Sequence, residues 1–137
     1  LDGIVIDDLQ AKKTGDWLPS TSTGRFLASS YLHDNNEGKG EKEVIFQVTL
    51  EKAGRYEVLL AYSPNPNRAT NVPVTVEFED SQIRSVVNQR QSPPIDSLFV
   101  SLGKLEIRAG GTATVTVSNR DTDGYVIVDG VQFIAID

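Results

Sequence analysis

The sequence contains no cysteine and no methionine, and it has only one histidine and one tryptophan among 137 residues. The absence of cysteine excludes disulfide bonds, thiolate metal sites and a cysteine nucleophile. No segment approaches the roughly 20 consecutive apolar residues of a transmembrane helix, so we expect no membrane span. Basic residues number 13 against 19 acidic ones, which gives a net charge of −6. Because a phosphate backbone is bound by clustered Lys and Arg, this balance argues against a nucleic-acid partner.

What the sequence does contain is apolar residues at every second position, the pattern of half-buried β-strands. The clearest runs are EVIFQVTL (43–50), RYEVLLAYS (55–63) and VPVTVEFED (72–80). Only Glu79–Ser81 separates the third run from the next one, which predicts a tight hairpin. About eight to ten such runs with short turns, and no helical period, predict an all-β fold, an antiparallel sandwich or barrel. The length fits a single domain, residues 1–137.

Four longer loops interrupt this pattern, and loops on a rigid scaffold carry most binding groups. The first, Lys12–Ser30, contains Trp17, which is either a core residue or a sugar-stacking platform; a single Trp in an all-β domain is more often core. The others are the first polar loop (His33–Lys42), the second polar loop (Ser63–Asn71) and the third polar loop (Asn88–Asp96). We expect function to reside in these loops.

The first polar loop holds the only histidine and a Gly-Lys-Gly sequence, within YLHDNNEGKGEK (31–42). It lacks the spacing of a phosphate-binding loop and of an EF-hand. A transition-metal site on His33 would find no second imidazole or thiolate in the chain. A Ser-His-Asp triad is also disfavoured, because His33 and Asp34 are adjacent and no G-x-S-x-G elbow exists. No pair of carboxylates stands out for glycosidase chemistry either, so we expect no enzyme.

Asp129 is the most informative acidic residue, because it is in phase with apolar neighbours such as Ile127 and Val131. A buried carboxylate needs a partner. One interpretation is a calcium ion shared with Asp7 or Asp8, if the first and last strands are neighbours. The alternatives are backbone amides, an arginine, or a bulge that turns Asp129 outward.

The second and third polar loops are rich in amide and guanidinium groups, which supply the planar hydrogen bonds that sugar hydroxyls and carboxylates require. Side chains in a loop can instead satisfy the backbone of their own loop, and this alternative stays open. Residues at and just before the start of the first polar loop complete the set. The candidate ligand-binding residues are Tyr31, His33, Asp34, Asn67, Arg68, Asn71, Asn88 and Arg90.

Several long motifs together resemble the golvesin C-terminal-like domain, also called the xanthan lyase-like carbohydrate-binding domain. They are YLHDNNEGKGEK, PNRATNVPV, NQRQSPPID and TDGYVIVDGVQFI, and the likeness extends over nearly the whole chain. The shared positions are His33, Asp34, Gly38, Lys39, Gly40, Asn67, Arg68, Thr70, Asn71, Asn88, Gln89, Arg90, Pro93 and Pro94.

This resemblance implies a β-sandwich of jelly-roll type that serves as an accessory module of large bacterial exported proteins. The expected function is therefore noncatalytic binding of polysaccharide or oligosaccharide, which targets an extracellular or cell-surface parent enzyme to its polymer. The alternative is a structural module that packs on its parent protein or on a cell-surface partner, with no glycan ligand. A weaker likeness of AGRYEV and VDGVQF to calcium-containing jelly-roll modules supports a structural calcium ion, although no cofactor is required.

Overall fold

The computed structural model describes residues 3–21 and 30–136, and their regular structure is β-strand apart from one 3-10 helix, Asp8–Gln10. The strands in chain order are β1 (Ile4–Asp7), β2 (Lys12–Thr14), β3 (Leu18–Ser20), β4 (Tyr31–His33), β5 (Glu43–Leu50), β6 (Gly54–Ala61), β7 (Val72–Phe78), β8 (Ser81–Val87), β9 (Phe99–Ile107), β10 (Gly111–Ser118), β11 (Ile127–Val128) and β12 (Gly130–Ile136). Among the described residues, no helix has the length and apolar character needed to cross a membrane.

Two antiparallel sheets share one hydrophobic core. The four-stranded sheet has the order β1-β12-β6-β9, and the five-stranded sheet has the order β2-β5-β10-β7-β8. A small third sheet has the order β11-β4-β3. The all-β prediction and the antiparallel sandwich are confirmed.

The alternating runs supply the core, as their period predicts. In β5, Val44, Phe46 and Val48 are buried, whereas Gln47 and Thr49 face solvent. The inward residues of β6, β7 and β10 join the same cluster from both sheets. The tight hairpin is also confirmed, because Phe78 pairs with Ser81 across a two-residue turn.

Two segments differ from the sequence interpretation. The predicted loop Lys12–Ser30 contains strands β2 and β3, and its residues 22–29 lie outside the described part. Strand β2 was missed because all of it is exposed at a sheet edge, where burial imposes no apolar alternation. The sequence also contains two short alternating runs, LFVSL (98–102) and KLEIR (104–108), which suggest separate strands. Most of both runs belongs to the single strand β9, whose pairing with β6 shifts register beside Gly103 (φ 129°).

The direction of the strands places four connections together. Segments 34–42, 62–71, 88–98 and 119–126 all lie at one end of the sandwich, because β5, β7, β9 and β12 begin there and β6, β8 and β10 end there. We call this the loop end. It brings the three polar loops of the sequence together.

Candidate functional site

The first polar loop is held by the buried carboxylate of Asp34. Its Oδ1 accepts hydrogen bonds from the backbone N–H groups of Asn36 (2.9 Å) and Val126 (3.0 Å). Its Oδ2 accepts from Lys39 Nζ (2.9 Å) and Asn119 Nδ2 (3.0 Å). Burial alone would raise the pKa of this carboxyl, but the four donors together hold it below its usual 3.8. Asp34 is therefore ionised and fully bonded inside the protein.

Lysine and asparagine side chains extend this network to the segment 119–126. Lys39 Nζ also donates to Thr122 Oγ1 (2.9 Å) and to the carbonyl of Gly124 (2.7 Å). Asn119 Oδ1 accepts from the backbone N–H of Gly40 (3.0 Å). The first polar loop is thus fastened to a part of the chain about 80 residues away.

Arg68 performs the same task for the second polar loop. Its side chain is buried and donates to the carbonyl of Ser63 (3.1 Å), to Asn67 Oδ1 (2.7 Å) and to the hydroxyl of Tyr31 (3.4 Å). The guanidinium carbon lies 5.7 Å from the centre of the Tyr31 ring, within cation–π range. The polar groups of Arg68 and Tyr31 are therefore engaged in contacts inside the protein.

The third polar loop is tied to the second and to strand β11. Arg90 Nε donates to the carbonyl of Arg68 (2.6 Å). The buried amide of Gln89 pairs with the backbone of Ile127, donating to its carbonyl (2.8 Å) and accepting from its N–H (2.7 Å). Leu98, just beyond the loop, packs with Phe99 and Leu59 in a second small hydrophobic cluster. The loop is therefore rigidly positioned.

His33 is the half-buried ring at this end. Its Nδ1 accepts the N–H of Asn35 (3.0 Å), and its ring meets that of Tyr125 edge to face at 5.7 Å. Burial lowers the pKa of His33 below 6.5; Arg68 and Lys42 add to this lowering, and Asp34 opposes it. The imidazole is thus neutral at pH 7, and because Nδ1 accepts, Nε2 carries the proton as a donor.

A separate acidic cluster joins the first and last strands. Strand β1 pairs with β12, and one carboxylate oxygen each from Asp7, Asp8 and Asp129 lies within 4.8 Å of the other two. Asp8 and Asp129 are fully buried, and no described donor reaches either carboxylate oxygen of Asp8. Burial first, and then the negative charges of Asp7 and Asp129, raise the pKa of Asp8 to about 7. The first and last strands are therefore neighbours, as the calcium interpretation requires, and the three acids proposed to share an ion lie close together.

These motifs and this fold can be compared with known proteins. The family model of the Golvesin C-terminal domain matches residues 4–135. The chain belongs to this family. The golvesin domain described here is 37% identical over 143 residues to a xanthan lyase of Bacillus sp. (strain GL1), in an alignment that covers 99% of this chain and 15% of the lyase.

Solved structures agree with this assignment. The golvesin domain superimposes on part of a Paenibacillus xanthan lyase with a TM-score of 0.89 and 29% identity, over 97% of this chain and 13% of that one. A family 35 carbohydrate-binding module from Clostridium thermocellum matches with a TM-score of 0.60 and 14% identity, over 99% of this chain and 100% of the module. That identity is low, so the second likeness shows the fold alone, and it confirms the jelly-roll type. This chain spans only about one-seventh of the lyases it matches.

Within this golvesin domain, the predicted ligand-binding residues fall into two groups. Tyr31, Asp34 and Arg68 are buried, with 1%, 0% and 4% of their surface exposed. The prediction that these three residues contact a ligand directly is therefore wrong. Their side chains instead hold the loops in place through internal hydrogen bonds. The predicted residues with accessible surface at the loop end are His33, Asn67, Asn71, Asn88 and Arg90.

The structure also settles the role of Trp17 and adds two residues to the loop end that the sequence did not predict. Trp17 is buried, and its Nε1 donates to the carbonyl of Thr14 (3.1 Å), so the core interpretation of this residue is confirmed. Asn119 and Asp123 were not predicted, although both are part of the loop end; Asp123 accepts from the N–H of Thr70 (2.7 Å) and from the Thr70 hydroxyl. The only signal was the turn-forming DTDG sequence (121–124), which marks a turn without naming its partner.

Proposed function

We propose that this golvesin domain is a noncatalytic carbohydrate-binding module that holds a polysaccharide beside the catalytic part of a larger, exported enzyme. The observation that carries the proposal is the 37% identity to a short portion of a xanthan lyase. The jelly-roll fold shared with a carbohydrate-binding module is consistent with it. Tethering of this kind raises the effective concentration of polymer at a catalytic site without new chemistry. An extracellular location is part of the proposal, because polymers of this class lie outside the cell.

The loop end is the surface we assign to this task. Its accessible amides, its guanidinium and the neutral imidazole of His33 offer hydrogen-bond donors that suit sugar hydroxyls. The buried residues beneath them fix their positions, so little conformational entropy is lost when a ligand binds. In this account, bracing and recognition are two layers of one site.

Isothermal titration against a panel of polysaccharides and their oligosaccharides, including xanthan, tests the proposal. We expect heat with at least one of them, and weaker binding in Arg90→Ala and Asn67→Ala. The matched control is Arg55→Ala, which removes an exposed arginine from the opposite end of the sandwich. No heat with any polymer at high protein concentration would contradict the proposal and favour the structural module.

We also propose that Asp7, Asp8 and Asp129 hold a structural calcium ion. The supporting observation is the buried Asp8 carboxylate, both of whose oxygens lack a donor among the described residues. Calcium prefers carboxylate oxygens at about 2.3–2.6 Å, so ligands of one ion lie within about 5 Å of each other, which matches this cluster. When bound, the ion would offset two of the three negative charges that converge here and would join β1 to the start of β12.

Thermal unfolding with calcium and with a chelator tests this site. At a calcium concentration about 100 times the dissociation constant, bound ion stabilises the folded state by about 2.7 kcal/mol, which corresponds to roughly 10 °C for a chain of this length. Asp8→Asn should remove this difference, whereas Asp16→Asn, at an exposed acid, should keep it. Equal melting temperatures with calcium and with chelator would contradict the proposal.

A further inference from the structure

An open groove lies along one side of the sandwich, where the edge strands β8 and β9 of the two sheets approach each other. Its volume is about 600 Å³. This is within the range of about 300–1,000 Å³ that is usual for small-molecule sites. The groove runs from these strands to the third polar loop, with which it shares Asn88, Gln91, Ser92 and Pro94.

The chemistry of the groove is unlike that of the rest of the surface. Every described residue that lines it is uncharged, although 23% of the chain is charged. Its polar side chains are hydroxyls and amides, contributed by Ser85, Asn88, Gln91, Ser92 and Ser101. Outside this lining, the carboxylate of Glu57 accepts the Ser101 hydroxyl through Oε2 (2.7 Å), so that hydroxyl already has a partner. A ligand here meets neutral hydrogen-bonding groups.

The loop wall of the groove is rigid and presents unused polar groups. The hydroxyl of Tyr62, whose ring is buried, donates to the carbonyl of Gln91 (2.7 Å). Asn88 Oδ1 accepts the N–H of Arg90 (3.0 Å), which fixes the turn. Three side-chain groups make no hydrogen bond within the part of the chain that the structure describes. They are Asn88 Nδ2, the side-chain amide of Gln91 and the Ser92 hydroxyl. The backbone that carries these three groups is fixed, and the groups themselves are available to a ligand.

The strand wall adds apolar surface and an open backbone. Val86 has 71% of its surface exposed, and Pro94 and Val100 also line the groove. Among the described strands, β8 pairs with β7 alone, so every second residue of β8 directs its N–H and C=O away from the sheet. Aliphatic contact beside rows of hydrogen-bonding groups suits a sugar ring, which has C–H faces and a hydroxyl rim.

We propose that this groove seats an uncharged segment of a polysaccharide chain. The inference rests on the proposed carbohydrate-binding function and adds the ligand class. A uronic-acid carboxylate placed here would lose hydration, and the described residues of the lining include no Lys, Arg or His to compensate it. The net charge of −6 further disfavours a polyanion. Neutral glycan therefore binds in preference to a polyuronate.

Affinity electrophoresis in native gels tests the groove, with galactomannan, hydroxyethylcellulose or polygalacturonate in the gel. Wild type should be retarded by at least one neutral polymer and less by polygalacturonate. Gln91→Ala and Ser92→Ala should each weaken that binding by about 2- to 10-fold, the effect of one hydrogen bond. Val86→Arg, which fills the groove with a charged side chain, should weaken it more than about 10-fold. The matched control is Gln82→Arg, at an exposed residue on the same face of β8 outside the groove, and it should bind as wild type does.

The outcomes separate this proposal from the function on which it rests. All four substituted positions are exposed, so circular dichroism should show native folds. Neutral binding that survives every groove variant but is lost in Arg90→Ala overturns the groove and leaves the carbohydrate-binding function standing. Stronger retardation by polygalacturonate than by any neutral polymer also overturns it. Wild type that binds no polymer in the panel overturns both proposals.

Discussion

Replacement of Asp34 by alanine is the sharpest perturbation of the loop end. This carboxylate is fully buried and accepts four hydrogen bonds that join the first polar loop to the segment 119–126. Asp34→Ala removes both acceptor oxygens and with them all four hydrogen bonds. Lys39 retains two other acceptors and some exposure to water, but the Val126 N–H and the Asn119 amide stay buried with a bond missing.

The magnitude follows from those two donors. Each buried donor left without an acceptor costs about 1–3 kcal/mol, and loss of one partner of a buried ion pair costs about 3–5 kcal/mol. We therefore expect Asp34→Ala to reduce the free energy of unfolding by about 3–5 kcal/mol. At about 3–4 °C per kcal/mol for a chain of this length, the melting temperature should fall by roughly 10–20 °C. Asp34→Asn should be nearly as harmful, because its amide would face the donors Lys39 Nζ and Asn119 Nδ2.

Urea unfolding followed by circular dichroism measures these differences. The matched control is Asp80→Ala, at an exposed acid in the β7–β8 turn, which should change stability by no more than about 0.5 kcal/mol. The bracing account is refuted if Asp34→Ala unfolds within about 1 kcal/mol of wild type.

Three further predictions follow from the same structure. Because folding lowers the pKa of Asp34, the contribution of this carboxylate to stability is present above pH 3.8 and is lost as the pH falls through its lower pKa in the folded state. The difference in free energy of unfolding between wild type and Asp34→Asn should therefore narrow from pH 7 towards pH 2. A difference that stays constant in urea titrations over this range would contradict the prediction. Gly124→Ala should destabilise by about 1–3 kcal/mol, since its Cβ would lie 2.8 Å from the carbonyl oxygen of Asn67; unchanged thermal unfolding would show that this contact relaxes. Trp17 is 8% exposed, so acrylamide should quench its fluorescence weakly and glycan binding should leave its emission unchanged, whereas a ligand-induced shift would indicate stacking.

Much of the fold could be predicted because a strand with one buried face needs an apolar residue at every second position. Strands β5 and β7 each present one face to the core, so their apolar residues alternate and their boundaries fall at turn formers. Strand β2 has no such pattern, because KKT lies exposed at an edge. Asp129 could be singled out by the same alternation, because it is a charged residue at a position where the pattern calls for an apolar one.

The division of labour at the loop end could not be predicted. Short connections in an antiparallel sandwich bring loops together, so their convergence follows from the strand pattern. Which guanidinium is buried depends on contacts between distant residues, such as that of Arg68 with Tyr31. Local sequence does not encode these contacts, so Arg68 and Arg90 look alike in sequence, although one is 4% exposed and the other faces solvent.

The central claim is that the loop end and the adjoining groove recognise carbohydrate. An NMR titration of the isotopically labelled domain with neutral and acidic oligosaccharides tests it most directly, because amide shifts report the contact surface residue by residue. We predict shifts confined to the loop end and to the residues around Ser85–Ser92, with the 51–54 turn at the opposite end unchanged. Shifts that appear nowhere, or that cluster at the opposite end, would contradict the account.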